Sequence, residues 1–232
     1  MIFRQLFDPE SSTYTYLVGD PRLHEAALID PVLGQAERDL ALVRDLDLRL
    51  THTLETHVHA DHVTASGLLR ERTGCRAVAG AGGASCADVH GHDGDVVRVG
   101  ALELRILATP GHTDDSVSYL MADRVFTGDA LFVRGTGRTD FQNGDAGTLY
   151  DSITRQLFSL PDETLVYPGH DYRGHTVTTI GEEKRLNPRL AGKNRAAFIA
   201  LMGTLHLPAP KQLHIAVPMN RACGRAAAIT QG

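Results

Sequence analysis

Six consecutive residues read H-V-H-A-D-H and hold His57, His59, Asp61 and His62. Three imidazoles and a carboxylate in so short a stretch are hard to justify by packing. They suit a metal ion, which needs nitrogen or carboxylate donors converging at about 2–2.6 Å. Three later positions offer the same chemistry: His112 in "TPGHT", Asp129 in "FTGDA" and His170 in "YPGH". Seven donors could serve two ions sharing a bridging water, which would make a hydroxide nucleophile at neutral pH. His52, His90, His92, His175, His206 and His214 stand outside this pattern and read as ordinary surface or core residues.

Each donor follows a strand-like run, so loops at strand ends would bring them together. "IFRQLF", "TYTYLVG" and "EAALID" open the chain as short strands, and "QAERDLALVRDL" carries the helical spacing Ala36, Leu40, Val43. "LRLTHTLET" is a strand running into the histidines. "DHVTASGLLRERTG" looks like a helix capped by Asp61 and ended by Gly74. "DVVRVG" and "LELRILAT" form a hairpin across Gly100-Ala101, and "SVSYLM" pairs with "RVFTGDA". "AGTLYDSITRQLFSL" is helical and "ETLVYPGH" a strand. The part from about residue 171 is mostly helical, closing on an extended "QLHIAVPMNRACG". Interleaved strands and helices without a linker predict one α/β domain over 1–232.

The order H-x-H-x-D-H, G-H-T, G-D, G-H, from Asp30 in "LIDP" to His170, resembles the metallo-β-lactamase superfamily. The resemblance implies an αββα sandwich with a metal site along one edge. Beyond those shared motifs, "ALFVRGTGRTDFQNGD", "YPGHDYRGHTVTTIGEEKRLNPRL" and "AVPMNRACG" resemble the persulfide dioxygenases, the ethylmalonic encephalopathy protein family. Glyoxalase II, the nearest hydrolytic relative, typically has G-K-F-Y-E-G where this chain reads Gly137-Arg138-Thr139-Asp140-Phe141-Gln142.

The dioxygenase resemblance implies one Fe(II) per chain on His57, His112 and Asp129. Such a triad fills three of six octahedral positions. His59, Asp61, His62 and His170 would then orient those ligands and hold water. The implied substrates are glutathione persulfide and O₂, with sulfite and glutathione as products. Arg138 and Tyr172 match family positions linked to substrate binding, and an Arg fork suits a glutathione carboxylate. Arg134, Arg173 and Lys184 read as solvated. Cys223 matches a family cysteine and is either a thiol near the site or a small buried residue. Thr136 stands where relatives often carry Cys. The competing readings are a dinuclear zinc thioester hydrolase like glyoxalase II and a non-catalytic sulfur-carrier or metal-dependent binding protein.

Composition is that of an ordinary globular protein of 232 residues, long enough to bury a substantial core. Net charge is −5 and no Lys/Arg-rich run occurs, which disfavours nucleic-acid partners. No stretch approaches the roughly 20 apolar residues of a membrane span. The N-terminal residues lack a leader's pattern. Cys75, Cys86 and Cys223 are widely spaced and suggest neither a disulfide framework nor a C-x-x-C motif. The sequence therefore predicts a cytoplasmic enzyme in a reducing compartment, and the family resemblance suggests a homodimer.

Overall fold

Strict alternation along Tyr14–Val18 is the key to the architecture. Tyr14, Tyr16 and Val18 face one apolar cluster while Leu17 faces another, and all four are buried. A strand with both faces covered lies inside a layered structure. The computed structural model of the protein describes residues 1–225.

The first half runs β1 (Ile2–Asp8), β2 (Thr13–Asp20), β3 (Glu25–Ile29), α1 (Ala36–Asp45), β4 (Arg49–Leu54), α2 (Ser66–Thr73), β5 (Arg76–Gly80) and β6 (Val89–Gly91). Its six strands form one sheet in sequence order. Strands β1 to β3 pair antiparallel, and β3 to β6 pair parallel. The second half runs β7 (Val96–Val99), β8 (Leu102–Ala108), β9 (Val117–Leu120), β10 (Arg124–Gly128), α3 (Ala146–Ser152), β11 (Leu165–Pro168), β12 (Thr178–Thr179), α4 (Ile180–Leu186), α5 (Arg195–Gly203) and α6 (Leu213–Arg221). Strands β7 to β12 form the second sheet, again in sequence order.

The two sheets face each other across Tyr16, Val18, Ile29, Leu54, Ile106 and Phe126. The outer face of the first sheet packs on α1 and α2 through Leu28, Leu40, Val43 and Leu69. The outer face of the second packs on α3 and α5 through Val125, Leu149, Val166 and Phe198. This is the αββα sandwich that the family resemblance implies. Each fully buried aromatic contributes heavily. Phe126→Ala would cost about 3–5 kcal/mol by the usual range for such deletions.

Side-chain caps start three of the later helices. Asp145, Thr179 and Asn194 accept from the backbone N–H of Thr148, Glu182 and Ala197. Gly74 ends α2 in the left-handed conformation expected of it, φ 72°.

Four expectations are corrected. Asp61 does not cap α2: that helix starts later, at Ser66, which frees Asp61 for the histidines. The segment around "LHIAVPMNR" is the helix α6, not extended chain, although Pro218 lies within it. Its inward residues Ala216 and Asn220 sit four apart, one helical turn, and both are buried. Arg134 is not a solvated side chain. It pairs with Glu182 at 3.0 Å and with Glu183, whose carboxylate is fully buried. Finally, Cys86 and Cys223 form a disulfide, with Cα atoms 5.9 Å apart. Cys75 remains a buried free thiol. The pairing removes the cysteine-based ground for expecting a reducing compartment.

Candidate metal centre and its cavity

Every donor sits just beyond a strand end. His57 follows β4, His112 follows β8, Asp129 follows β10 and His170 follows β11. Two buried tyrosines pin those ends. The Tyr119 hydroxyl donates to the carbonyl of Glu55 at 2.8 Å, and the Tyr16 hydroxyl to that of Pro168 at 2.6 Å. Gly169 lets the backbone come close, since a Cβ there would lie 2.6 Å from Asp129 Oδ1.

The structure brings His57, His112 and Asp129 together, with one donor atom of each within 4.8 Å of the others. Each is anchored through its other polar atom. His57 Nδ1 lies 2.9 Å from Thr56 Oγ1. That hydroxyl gives its own hydrogen to Asp30 Oδ2 at 2.8 Å, so it must accept from His57. His57 is thereby held with Nδ1 protonated and a lone pair on Nε2. His112 Nδ1 donates to the Arg138 carbonyl at 2.7 Å, which likewise leaves Nε2 bare. Asp129 Oδ1 is taken by His170 at 2.8 Å, and Oδ2 lies 3.5 Å from His112 Nε2.

Electrostatics reinforce this arrangement. Burial, with His59 adding repulsion, pushes the His57 imidazole well below its ordinary value, so the ring stays neutral. Burial works to raise Asp129, yet the charged His170 ring hydrogen-bonded to it outweighs that and holds the carboxyl ionised. Two bare imidazole nitrogens and one anionic oxygen are a chemically sound donor set for a divalent ion.

The other predicted residues are placed differently. His59 turns away to Asp30 at 3.1 Å and Glu55 at 3.3 Å. Burial lowers its pKa, but those two carboxylates overcome that and leave it raised well above normal. His170 bridges Asp129 and Asp61, and both carboxylates likewise raise it against burial. His62 Nδ1 pairs with Asp61 at 3.0 Å. Thr13, which the sequence did not single out, places its hydroxyl within 3.0–3.3 Å of Asp61, His62 and His170. Among the described residues, two buried imidazole nitrogens lack a hydrogen-bond partner: His59 Nδ1 and His62 Nε2. His59, Asp61 and His62 form a second cluster, with one donor atom of each within 4.8 Å of the others.

A cavity of about 420 Å³ opens onto His112, Asp129 and His170. Phe132, Phe141 and Leu207 help wall it. Arg138 lines it, but its guanidinium is largely occupied. It forks onto Asp140 at 2.6 and 2.8 Å, donates to the carbonyls of Leu207 and Pro208, and stacks on Phe141. Tyr172 is 73% exposed and lies parallel to the His170 ring at a centroid distance of 6.0 Å. Arg189, at the end of the family-like block closing on "NPRL" but not singled out by the sequence, also lines the cavity. It is half-buried and held by the carbonyl and hydroxyl of Thr136 at 2.7 and 3.1 Å. Burial alone lowers its pKa, and no carboxylate pairs with it among the described residues.

The metallo-β-lactamase superfamily model matches residues 8–85 and 87–170. The human mitochondrial persulfide dioxygenase ETHE1 is 49% identical over 227 residues, covering 97% of this chain and 89% of the human one. This chain belongs to the persulfide dioxygenase family of the metallo-β-lactamase superfamily. The crystal structure of ETHE1 from Myxococcus xanthus agrees. It is 68% identical, superposes with a TM-score of 0.96, and covers 97% of this chain and 100% of that one. The hydroxyacylglutathione hydrolase of Rhodospirillum rubrum is more distant. It is 39% identical over 173 residues, 72% of this chain and 66% of its own. Persulfide dioxygenase family membership therefore extends past the shared superfamily motifs into the C-terminal helices. Among the described residues no helix is long and apolar enough to cross a membrane.

Proposed function

We propose that the protein oxidises glutathione persulfide with O₂ to sulfite and glutathione, using one Fe(II) held by His57, His112 and Asp129. The reaction balances as persulfide plus O₂ plus water giving glutathione and sulfurous acid, a four-electron oxidation of the outer sulfur. The carrying observation is the division of labour among the donors. Nε2 of His57, Nε2 of His112 and Oδ2 of Asp129 are left bare, while His59 and His170 are each tied to two carboxylates. Bound there, iron would supply redox activity towards O₂ and Lewis acidity towards sulfur, which zinc supplies only in the second respect.

The chain's own residues would do the rest. Thr56 and the Arg138 carbonyl fix the two ligand rings in one tautomer and orientation. The Phe132, Phe141 and Leu207 wall would give the persulfide an apolar seat beside the metal ligands. Arg189 offers its free guanidinium edge to one carboxylate of the tripeptide, with exposed Arg173 at the same cavity for the other. Tyr172 would close over the substrate from the rim. Arg138 would act chiefly by holding the Leu207–Pro208 segment and His112 in place. A homodimer rests on the family resemblance alone. A cytoplasmic location rests on the sequence expectation, while the mammalian relatives bear the word mitochondrial in their names.

One observation favours a second reading, a dinuclear thioester hydrolase. The orphaned His59 Nδ1 and His62 Nε2, with Asp61, could hold a further ion. Stripping the protein with a chelator and restoring Fe(II) or Zn(II) separates the two. Persulfide-dependent O₂ uptake should return with iron only. Its return with zinc would defeat the dioxygenase reading.

A further inference from the structure

The metal loop is held from behind by the C-terminal helix. Asn220 on α6 is 2% exposed. Its amide donates to the carbonyls of His59 and His62 at 2.9 and 2.8 Å and accepts from Thr64 N–H at 2.8 Å. Three residues on, the Cys223 carbonyl accepts from Gly67 N–H at 2.8 Å. The chain is pressed tightly here. A Cβ on Gly67 would collide with the Cys223 carbonyl, and one on Gly224, φ +77°, with the Thr64 carbonyl. The covalent hold on this strap is the disulfide to Cys86, in the connection between β5 and β6. Between that connection and the strap, the further hydrogen bond among the described residues is a long one, Ser85 Oγ to the Arg221 carbonyl at 3.4 Å. Cys223 is buried, Cys86 is half-exposed, and neither lines the cavity.

We propose that Cys86–Cys223 is a thiol-responsive latch, whose opening loosens the α6 strap behind the His57–His62 loop and weakens the hold on the metal. A small-molecule thiolate attacks the sulfur of Cys86, the more exposed residue of the pair. The S–S bond breaks, Cys223 leaves as thiolate and takes a proton. A second thiol then attacks the mixed disulfide, frees Cys86 and leaves as the small-molecule disulfide. The net change is one protein disulfide plus two thiols giving two protein thiols plus one disulfide, a two-electron exchange reversible by the same couple. Glutathione, a product of the proposed reaction, belongs to that thiol class. The metal part of this inference rests on the iron reading; the exchange and the loosening do not.

The test equilibrates the full chain in buffers of reduced and oxidised glutathione at set ratios. Three quantities are read: thiols per denatured chain, hydrogen exchange of backbone amides in residues 56–67, and the rate of iron release to a chelator. In oxidising buffer only Cys75 should react; in reducing buffer all three cysteines should. Amide exchange and iron release should both be several-fold faster in the reduced protein. Cys86→Ser should behave as the reduced form at every ratio. Three reactive thiols throughout would overturn the latch. So would a disulfide that forms while exchange and release stay equal in oxidised, reduced and Cys86→Ser protein. A clear exchange contrast in a chain that takes up no iron would keep the latch and sink the metal reading.

Discussion

His170 joins the two acidic residues of the site with a single ring: Nδ1 is 2.8 Å from Asp129 Oδ1 and Nε2 is 2.9 Å from Asp61 Oδ2. Both nitrogens must donate, so the ring is an imidazolium, as two flanking carboxylates favour. In that state it cannot be a ligand, but it can aim Asp129. His170→Asn should therefore weaken iron affinity by roughly 10–100-fold, the usual effect of losing a partner that orients a ligand. Competition against a chelator of known affinity measures this. Unchanged affinity would show that Asp129 needs no such support.

Arg189 tests the substrate reading. Removing a charge-assisted contact costs about 1.5–3 kcal/mol, which is roughly 10–100-fold in binding. Arg189→Ala should raise KM for glutathione persulfide by roughly that factor while leaving kcat nearly unchanged, the signature of lost uniform binding. A drop in kcat at constant KM would place Arg189 in the chemistry instead.

Glu183 tests the buried network beside the cavity. Its carboxylate is fully buried between Arg134, Thr178 and the side-chain amide of Asn187. Arg134→Ala would strand that charge, and breaking a buried pair from one side costs about 3–5 kcal/mol. Urea denaturation should show a loss of that order. Adding Glu183→Gln should recover part of it, because a neutral amide is cheaper to bury alone. A loss below about 1 kcal/mol, the range of surface pairs, would mean that the pair is effectively solvated.

His59 gives a pH dependence to the metal-free protein. Its folded pKa is raised by Asp30 and Glu55 in spite of burial. The stability it contributes is complete below the unfolded value of about 6.5 and is lost as pH rises through the raised folded value. The thermal midpoint of the stripped protein should therefore fall on the alkaline side of neutrality, and His59→Gln should flatten that slope. An identical slope in the variant would contradict the charged assignment.

Much of this site is legible in the sequence because its chemistry is written in local motifs. The donor positions follow strands whose alternation is plain, and His57, His112 and Asp129 do come together. What escapes local reading is contact between distant segments. Cys86 and Cys223 lie 137 residues apart with no pattern to join them. Arg189 becomes noticeable only when Thr136, 53 residues earlier, is seen holding it. The α6 segment misleads for a different reason: Ile215, Val217 and Pro218 argue for extended chain, and tertiary burial of Ala216 and Asn220 overrides them. Asp61 reads as a cap until the histidines claim it.

The most direct test of one redox-active ion per chain is stepwise titration of metal-free protein with Fe(II) under anaerobic conditions, each point assayed for persulfide-dependent O₂ consumption. Activity should rise linearly and stop at one iron per chain, and Zn(II) should give none. A break at two metals per chain, or O₂ consumption restored by zinc, would contradict the account.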